Sequence, residues 1–216
     1  MINSLKYKYL NIRLITFFLF EVVISVVLIY LQQEYVIIPN MFNNSFVTDA
    51  FKSQFFDQFS KYRYLSFILG LTFLSMRIFV VSVCFYVGRI FFDEYDKMNY
   101  NDCVNVTLKS DVIMILFSSI QIALTLLLGI DSQIDIVKYF SLLFCFNIDI
   151  LEPWLILPIS MINVFEIVYC LFLAYLISVV CSRRYIESLS FVILTYGFMF
   201  LVYILFLIFV ILYVVQ

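Results

Sequence analysis

Histidine does not occur in these 216 residues. Its absence excludes an imidazole working as acid and base near neutral pH, and any metal site built on histidine. Small residues are almost as scarce, with glycines only at 70, 88, 129 and 197 and alanines only at 50, 123 and 174. Close approach of membrane helices relies on small residues spaced four apart, and no two of these glycines and alanines are so spaced. Helices in this chain must therefore pack through bulky side chains. The prolines, at 39, 153 and 158, lie outside the long apolar runs or at the end of one. The cysteines, at 84, 103, 145, 170 and 181, show no paired spacing, which argues against a disulfide framework and a metal site. Charge is thin as well, at 13% of residues against about 25% in soluble domains.

Apolar residues take the vacant places. They make up 65% of the chain, and the mean hydropathy is +1.07. A water-soluble fold of this length could not hide so much apolar surface. The composition predicts an all-α, polytopic transmembrane helix bundle forming a single integral membrane domain over 1–216. The net charge of −2 argues against a nucleic-acid binder, which would normally carry a basic patch.

A helix needs about 20 apolar residues to cross the hydrocarbon core. Five runs meet that length, at about 14–31, 64–91, 112–130, 157–181 and 189–215. The first, "LITFFLFEVVISVVLIYL", follows Lys6, Lys8 and Arg13 as a signal peptide would. No small-residue cleavage site comes after it, so it reads as a retained anchor. The segment Ile134–Trp154 carries Asp135, Lys138, Asn147, Asp149 and Glu152. That charge density suits an interfacial or re-entrant helix better than a sixth span. In the loop before the second span, "TDAFKSQFFDQFSKY" places Phe51, Phe55 and Phe59 on one helical face, which predicts a helix lying on the membrane surface or docking a partner.

Lysine and arginine set the orientation. Lys6, Lys8, Arg13, Arg89, Lys97, Lys109, Arg183 and Arg184 fall on one side, and Lys52, Lys61, Arg63 and Lys138 on the other. The first side is expected to be cytoplasmic, with the N-terminus inside and the C-terminus outside.

Three ionisable residues fall within the runs: Glu21, Arg77 and Glu166. A lone arginine at the bilayer centre costs about 2.5–3.5 kcal/mol on insertion scales, so it should face an acid inside the bundle. Glu21 lies roughly 10 Å into its span, and Glu166 roughly 14 Å, near the middle, where Arg77 also lies. Glu166 is therefore the expected partner of Arg77, with Glu21 second or bridging. Asn163, one turn before Glu166, and Gln121 in the third run are candidate members of the same polar cluster. Such a pair can act as a register pin between helices, or it can line a path for a substrate or proton.

The loop "FDEYDKMNYNDC" gathers Asp93, Glu94, Asp96 and Asp102, but without the spacing and glycine of a calcium loop, and reads as solvated. Arg183 and Arg184 read as anchors to lipid headgroups. Neither G-x-S-x-G nor H-E-x-x-H occurs, so the chain is read as no enzyme, with no catalytic residue, metal or cofactor. The expected role is a scaffold or accessory subunit of a membrane complex, with lipids and a protein partner or a second copy as its contacts. The alternative is a transport or export component with a polar path through Glu21, Arg77 and Glu166.

The stretch from Pro158 to Gly197 combines a proline-led span containing "INVFEIVYCLFLAYLI", a short basic turn, and a span bearing Thr195-Tyr196-Gly197. This resembles the C-terminal part of bacterial membrane proteins of the Yip1-type family. The likeness covers about the last two-fifths of the chain. It implies five spans with an inside N-terminus, a bacterial inner membrane, and a role in membrane organisation or trafficking. It brings no catalytic residue, and the glycine-rich spans of eukaryotic members are missing here.

Overall fold

Long stretches without proline, rich in Leu, Ile, Phe and Val, leave the backbone little choice in an apolar medium, because a helix satisfies its own N–H and C=O groups. In a computed structural model that describes residues 13–38, 49–128, 138–147 and 150–215, the chain is all-helical. The described residues contain no strand, only an isolated antiparallel bridge between Ser141 and Asn163.

Helix α1 covers Leu14–Gln32 and runs on into a π-helical turn, Gln33–Ile37. Helix α2, Asp49–Gly88, continues for 40 residues. At 1.5 Å per residue it is roughly 60 Å long, about twice the hydrocarbon thickness. The surface helix expected around Phe51, Phe55 and Phe59 is thus the first part of α2, because neither proline nor glycine interrupts the chain between 49 and 69. The side chains of those three residues lie outside the described part.

Two 3₁₀ turns, Arg89–Phe91 and Asp93–Tyr95, lead to α3, Tyr100–Ser110. A capping box opens α3, with the Asp102 carboxylate accepting from the Asn99 backbone N–H at 3.0 Å. Helix α4, Val112–Leu128, follows after a single residue, Asp111, whose helical dihedrals let the axis carry through. Helices α5, Pro153–Met161, and α6, Val164–Val180, are separated by Ile162 and Asn163. A tight turn with Ser182 at φ 53° joins α6 to α7, Tyr185–Val192. There the Arg183 N–H bonds to the Ser178 carbonyl at 3.0 Å, the long bond of a left-handed helix cap. A π-helical segment, Ile193–Gly197, connects α7 to α8, Phe198–Val215.

Among the described residues, four helical stretches are long and apolar enough to cross a membrane: Leu14–Val36, Lys61–Phe91, Tyr100–Leu127 and Tyr185–Tyr213. The uninterrupted fourth span predicted over 157–181 is two helices, and the apolar helix that remains, Val164–Val180, is shorter. The break is local in origin. Asn163 leaves the helix to cap α6, its side-chain oxygen accepting from the Glu166 N–H at 2.8 Å. The span predicted from Val112 begins at Tyr100, which brings Lys109 and Asp111 inside it.

The most buried packing lies where α2, α3, α6 and α7 meet. Phe191 sits at its centre, stacked on Tyr95 with 4.3 Å between centroids and edge-on to Phe92 at 5.4 Å. Tyr169, Leu173 and Ile177 close it from α6. Lipid chains are as apolar as these side chains, so the contact gains dispersion energy and shape fit rather than relief from water.

Candidate functional site

Phe17 of α1, Ile78 of α2 and Leu108 of α3 form a small apolar contact that aligns three helices. Beside that contact the side chains turn polar. Helix α1 supplies Glu21, α2 supplies Arg77, and the α3–α4 junction supplies Asp111. The guanidinium Nη1 of Arg77 stands 3.6 Å from Asp111 Oδ1, and its Nη2 stands 3.9 Å from Glu166 Oε2. These are ionic contacts longer than hydrogen bonds. The guanidinium also lies over the Tyr169 ring, 4.6 Å from its centroid. From the π-helical segment, the Tyr196 hydroxyl donates a hydrogen bond to Glu166 Oε1. One cation thereby gathers groups from α2, α6 and the α3–α4 junction, and Tyr196 adds the segment before α8.

Asp111 was not visible as a site residue in the sequence, where it read as the last residue of a charged loop. Two signals point to it. The Asn99–Asp102 pair is a helix start well before Val112, and Val104, Val106 and Leu108 extend the apolar run backward. Asp111 is 2% exposed, and Lys109 on α3 is fully buried.

Glu21 does not reach Arg77 as an ion-pair partner in the structure. It is fully buried, and among the described residues neither carboxylate oxygen has a hydrogen-bond partner. Asp111 is close enough to act on it electrostatically. Gln121 lies apart, ten residues beyond Asp111 and so roughly 15 Å along the helix. Asn163 caps α6, and its amide donates to the Met161 carbonyl at 3.2 Å. It orders the chain beside Glu166 without touching Arg77 through any hydrogen bond or ion pair.

The break before α6 is held by its neighbours. The Ile162 carbonyl accepts from the Leu142 N–H at 2.9 Å, beside the isolated bridge that pairs Ser141 with Asn163. Phe165 stacks on Phe117 at 4.2 Å and meets Phe140 edge-on at 5.4 Å. Part of the segment 138–147 therefore packs against the break, where non-helical backbone needs protein partners to be tolerated in an apolar medium.

Other charged groups sit at the two ends of the bundle. Arg63 donates to Glu34 at 2.8 Å and to Gln33 at 3.2 Å, and lies over the Tyr30 ring. At the opposite end Arg183 pairs with Glu94 at 3.7 Å, and Asp102 serves as a helix cap. The acidic loop is thus partly used in structure. Tyr95 is buried there with its hydroxyl toward Ser188, and burial pushes its phenol above the usual value. Among the described residues, no group of three or more Cys, Asp or Glu side chains is placed to hold a metal ion.

The cluster around Arg77 presents two carboxyl groups, Asp111 and Glu166, to one guanidinium. Chemically it can fix helix register, and it can take up a positive charge. Comparison with family models, curated proteins and solved structures finds no match to this chain.

Proposed function

We propose that the chain is a non-enzymatic integral membrane protein that serves as a scaffold or accessory subunit of a membrane complex. The observation that carries this reading is Arg77 held between Asp111 and Glu166, which locks α2 to two other parts of the bundle. A buried pair of this kind contributes more to which helices touch than to net stability. The same reading makes α5 and α6 together a fifth, broken crossing. It puts the N-terminus inside and the C-terminus outside a bacterial inner membrane, with lipids and a protein partner or second copy as contacts. It includes kinship with Yip1-type proteins, supported by the Pro158–Gly197 motifs.

Gentle detergent extraction should recover the protein together with a partner or a second copy. A lone monomer under every mild condition would overturn the scaffold reading.

A second reading, a component of transport, is favoured by one feature. The helix break at Ile162–Asn163 and the π-helical segment carrying Tyr196 both adjoin the charged cluster. Interrupted helices near buried charges recur in transporter sites, and π-helical turns recur at functional sites. Arg77→Gln and Glu166→Gln separate the two. Lost transport at normal abundance supports a path, whereas lost abundance alone supports a register lock.

A further inference from the structure

A cleft of about 310 Å³ opens between α1, α2 and α4. Its deep end is formed by Arg77 and Asp111, and it extends past Ser25 and Ser118 to Gln32 and Gly70. Seven residues of α2 separate Arg77 from Gly70, so the cleft runs roughly 10 Å along the helices. Its walls include Leu74 and Ile115, and Phe73 at the mouth is 68% exposed. A cleft bounded by membrane-length helices, with a bare aromatic ring at its opening, faces lipid sideways.

The polar groups along it are unspent. Elsewhere in these helices Ser75, Ser82, Ser119 and Thr125 donate to the carbonyl four residues back. Among the described residues, the side chains of Ser25, Ser118 and Gln32 have no hydrogen bond. Arg77 Nη2 and Asp111 Oδ1, at the deep end, have ionic partners but no hydrogen bond either. An apolar medium leaves such groups without water, which makes an occupant able to bond them favourable. The volume falls at the small end of the usual range for ligand pockets.

Charge narrows the occupant. An anion would approach Arg77 but meet Asp111 in the same cleft, with Glu166 already paired to the guanidinium. A cation would meet Arg77 first, because its side chain is 31% exposed while Asp111 is at 2%. A neutral group that both donates and accepts avoids both penalties. We propose that this cleft binds an uncharged, hydroxyl-bearing lipid that enters sideways from the bilayer, with its hydroxyl toward Arg77 and Asp111 and its chain toward Phe73. The proposal goes beyond the scaffold reading and does not depend on it.

The test uses the full chain in lipid nanodiscs and a long-chain primary alcohol bearing a mid-chain diazirine and a terminal alkyne. Photolabelling should concentrate in the peptides covering 25–32, 70–77 and 111–118. Ser118→Phe, which fills the cleft, should lower labelling about tenfold, equivalent to about 1.4 kcal/mol of binding. Leu126→Phe, on the lipid-facing side of the same helix, should leave it unchanged. If Ser118→Phe fails to fold, competition on the unaltered protein decides. The unlabelled alcohol should displace the probe, while the acid and amine of equal length should not. Labelling spread evenly over the apolar exterior, or equal displacement by the acid or the amine, would overturn the proposal.

Discussion

The guanidinium of Arg77 lies over the ring of Tyr169, 4.6 Å from the centroid, and among the described residues the Tyr169 hydroxyl has no hydrogen-bond partner. The ring face is what the cation uses; the hydroxyl adds an unmet donor. A desolvated contact of this type contributes about 2 kcal/mol. Tyr169→Phe should therefore leave thermal stability in detergent unchanged or slightly higher. Tyr169→Leu should lower it by about 2 kcal/mol. Equal losses in both variants would show that the hydroxyl, and not the face of the ring, is the group that counts.

Removing the cation is a different matter. Arg77→Gln leaves Asp111 and Glu166 buried without a counter-charge, and breaking a buried pair this way costs about 3–5 kcal/mol. A triple variant, Arg77→Met with Asp111→Asn and Glu166→Gln, removes all three charges together and should recover much of that loss. The measurement is steady-state abundance alongside unfolding temperature. A triple variant as unstable as Arg77→Gln would mean that shape, rather than unpaired charge, dominates the site.

Glu21 presents the opposite case. Its carboxylate is buried, and among the described residues neither oxygen is bonded. An unsatisfied buried polar group costs about 1–3 kcal/mol, and more when charged. Glu21→Met, of similar length, should raise the unfolding temperature. A fall instead would show that the carboxylate has a partner in the membrane.

These residues also show what was legible in advance. Arg77 and Glu166 stood out because an ionisable group inside an apolar run has few inexpensive positions, so pairing followed from cost alone. Asp111 did not stand out, because it lies at the edge of the apolar run from Val112, where charge is ordinary. The helix start at Asn99 and the apolar Val104, Val106 and Leu108 move that edge outward. The broken crossing was hidden for a related reason. Residues 157–181 are apolar enough overall to read as one run despite Asn163 and Glu166, and the break depends on Asn163 exchanging the helix interior for a cap, with Ser141 brought alongside from an earlier segment. Hydropathy records length and solvent; it does not record which polar side chain will bond its own backbone.

The few glycines test packing directly. A Cβ at Gly88 would run into the β-branched Thr195 of the π-helical segment, close to the backbone, where little can yield. At Gly70 it would meet the far end of the Ile29 side chain, which can swing away. Overpacking costs about 1–3 kcal/mol, whereas glycine to alanine in a helix gains about 1 kcal/mol. Gly88→Ala should therefore destabilise, and Gly70→Ala should be near neutral. Thermal unfolding of the two variants side by side decides it, and a reversed order would place the tight contact at the wrong helix pair.

The thiols report on sidedness and burial together. Cys145 is exposed, while Cys181, at the turn after α6, is partly buried, and burial pushes its thiol up to about 11, with Asp102 adding and Arg183 opposing. Only the thiolate attacks a maleimide. A raised value leaves less thiolate at neutral pH, so Cys181 should react slowly in opened membranes and faster as pH climbs toward 11. Cys145 should react readily, and with the N-terminus inside it should do so in intact cells treated with an impermeant maleimide. Cys145→Ser should abolish that external signal. External labelling that persists in Cys145→Ser and disappears in Cys181→Ser would reverse the orientation, because the two thiols lie at opposite ends of the proposed broken crossing.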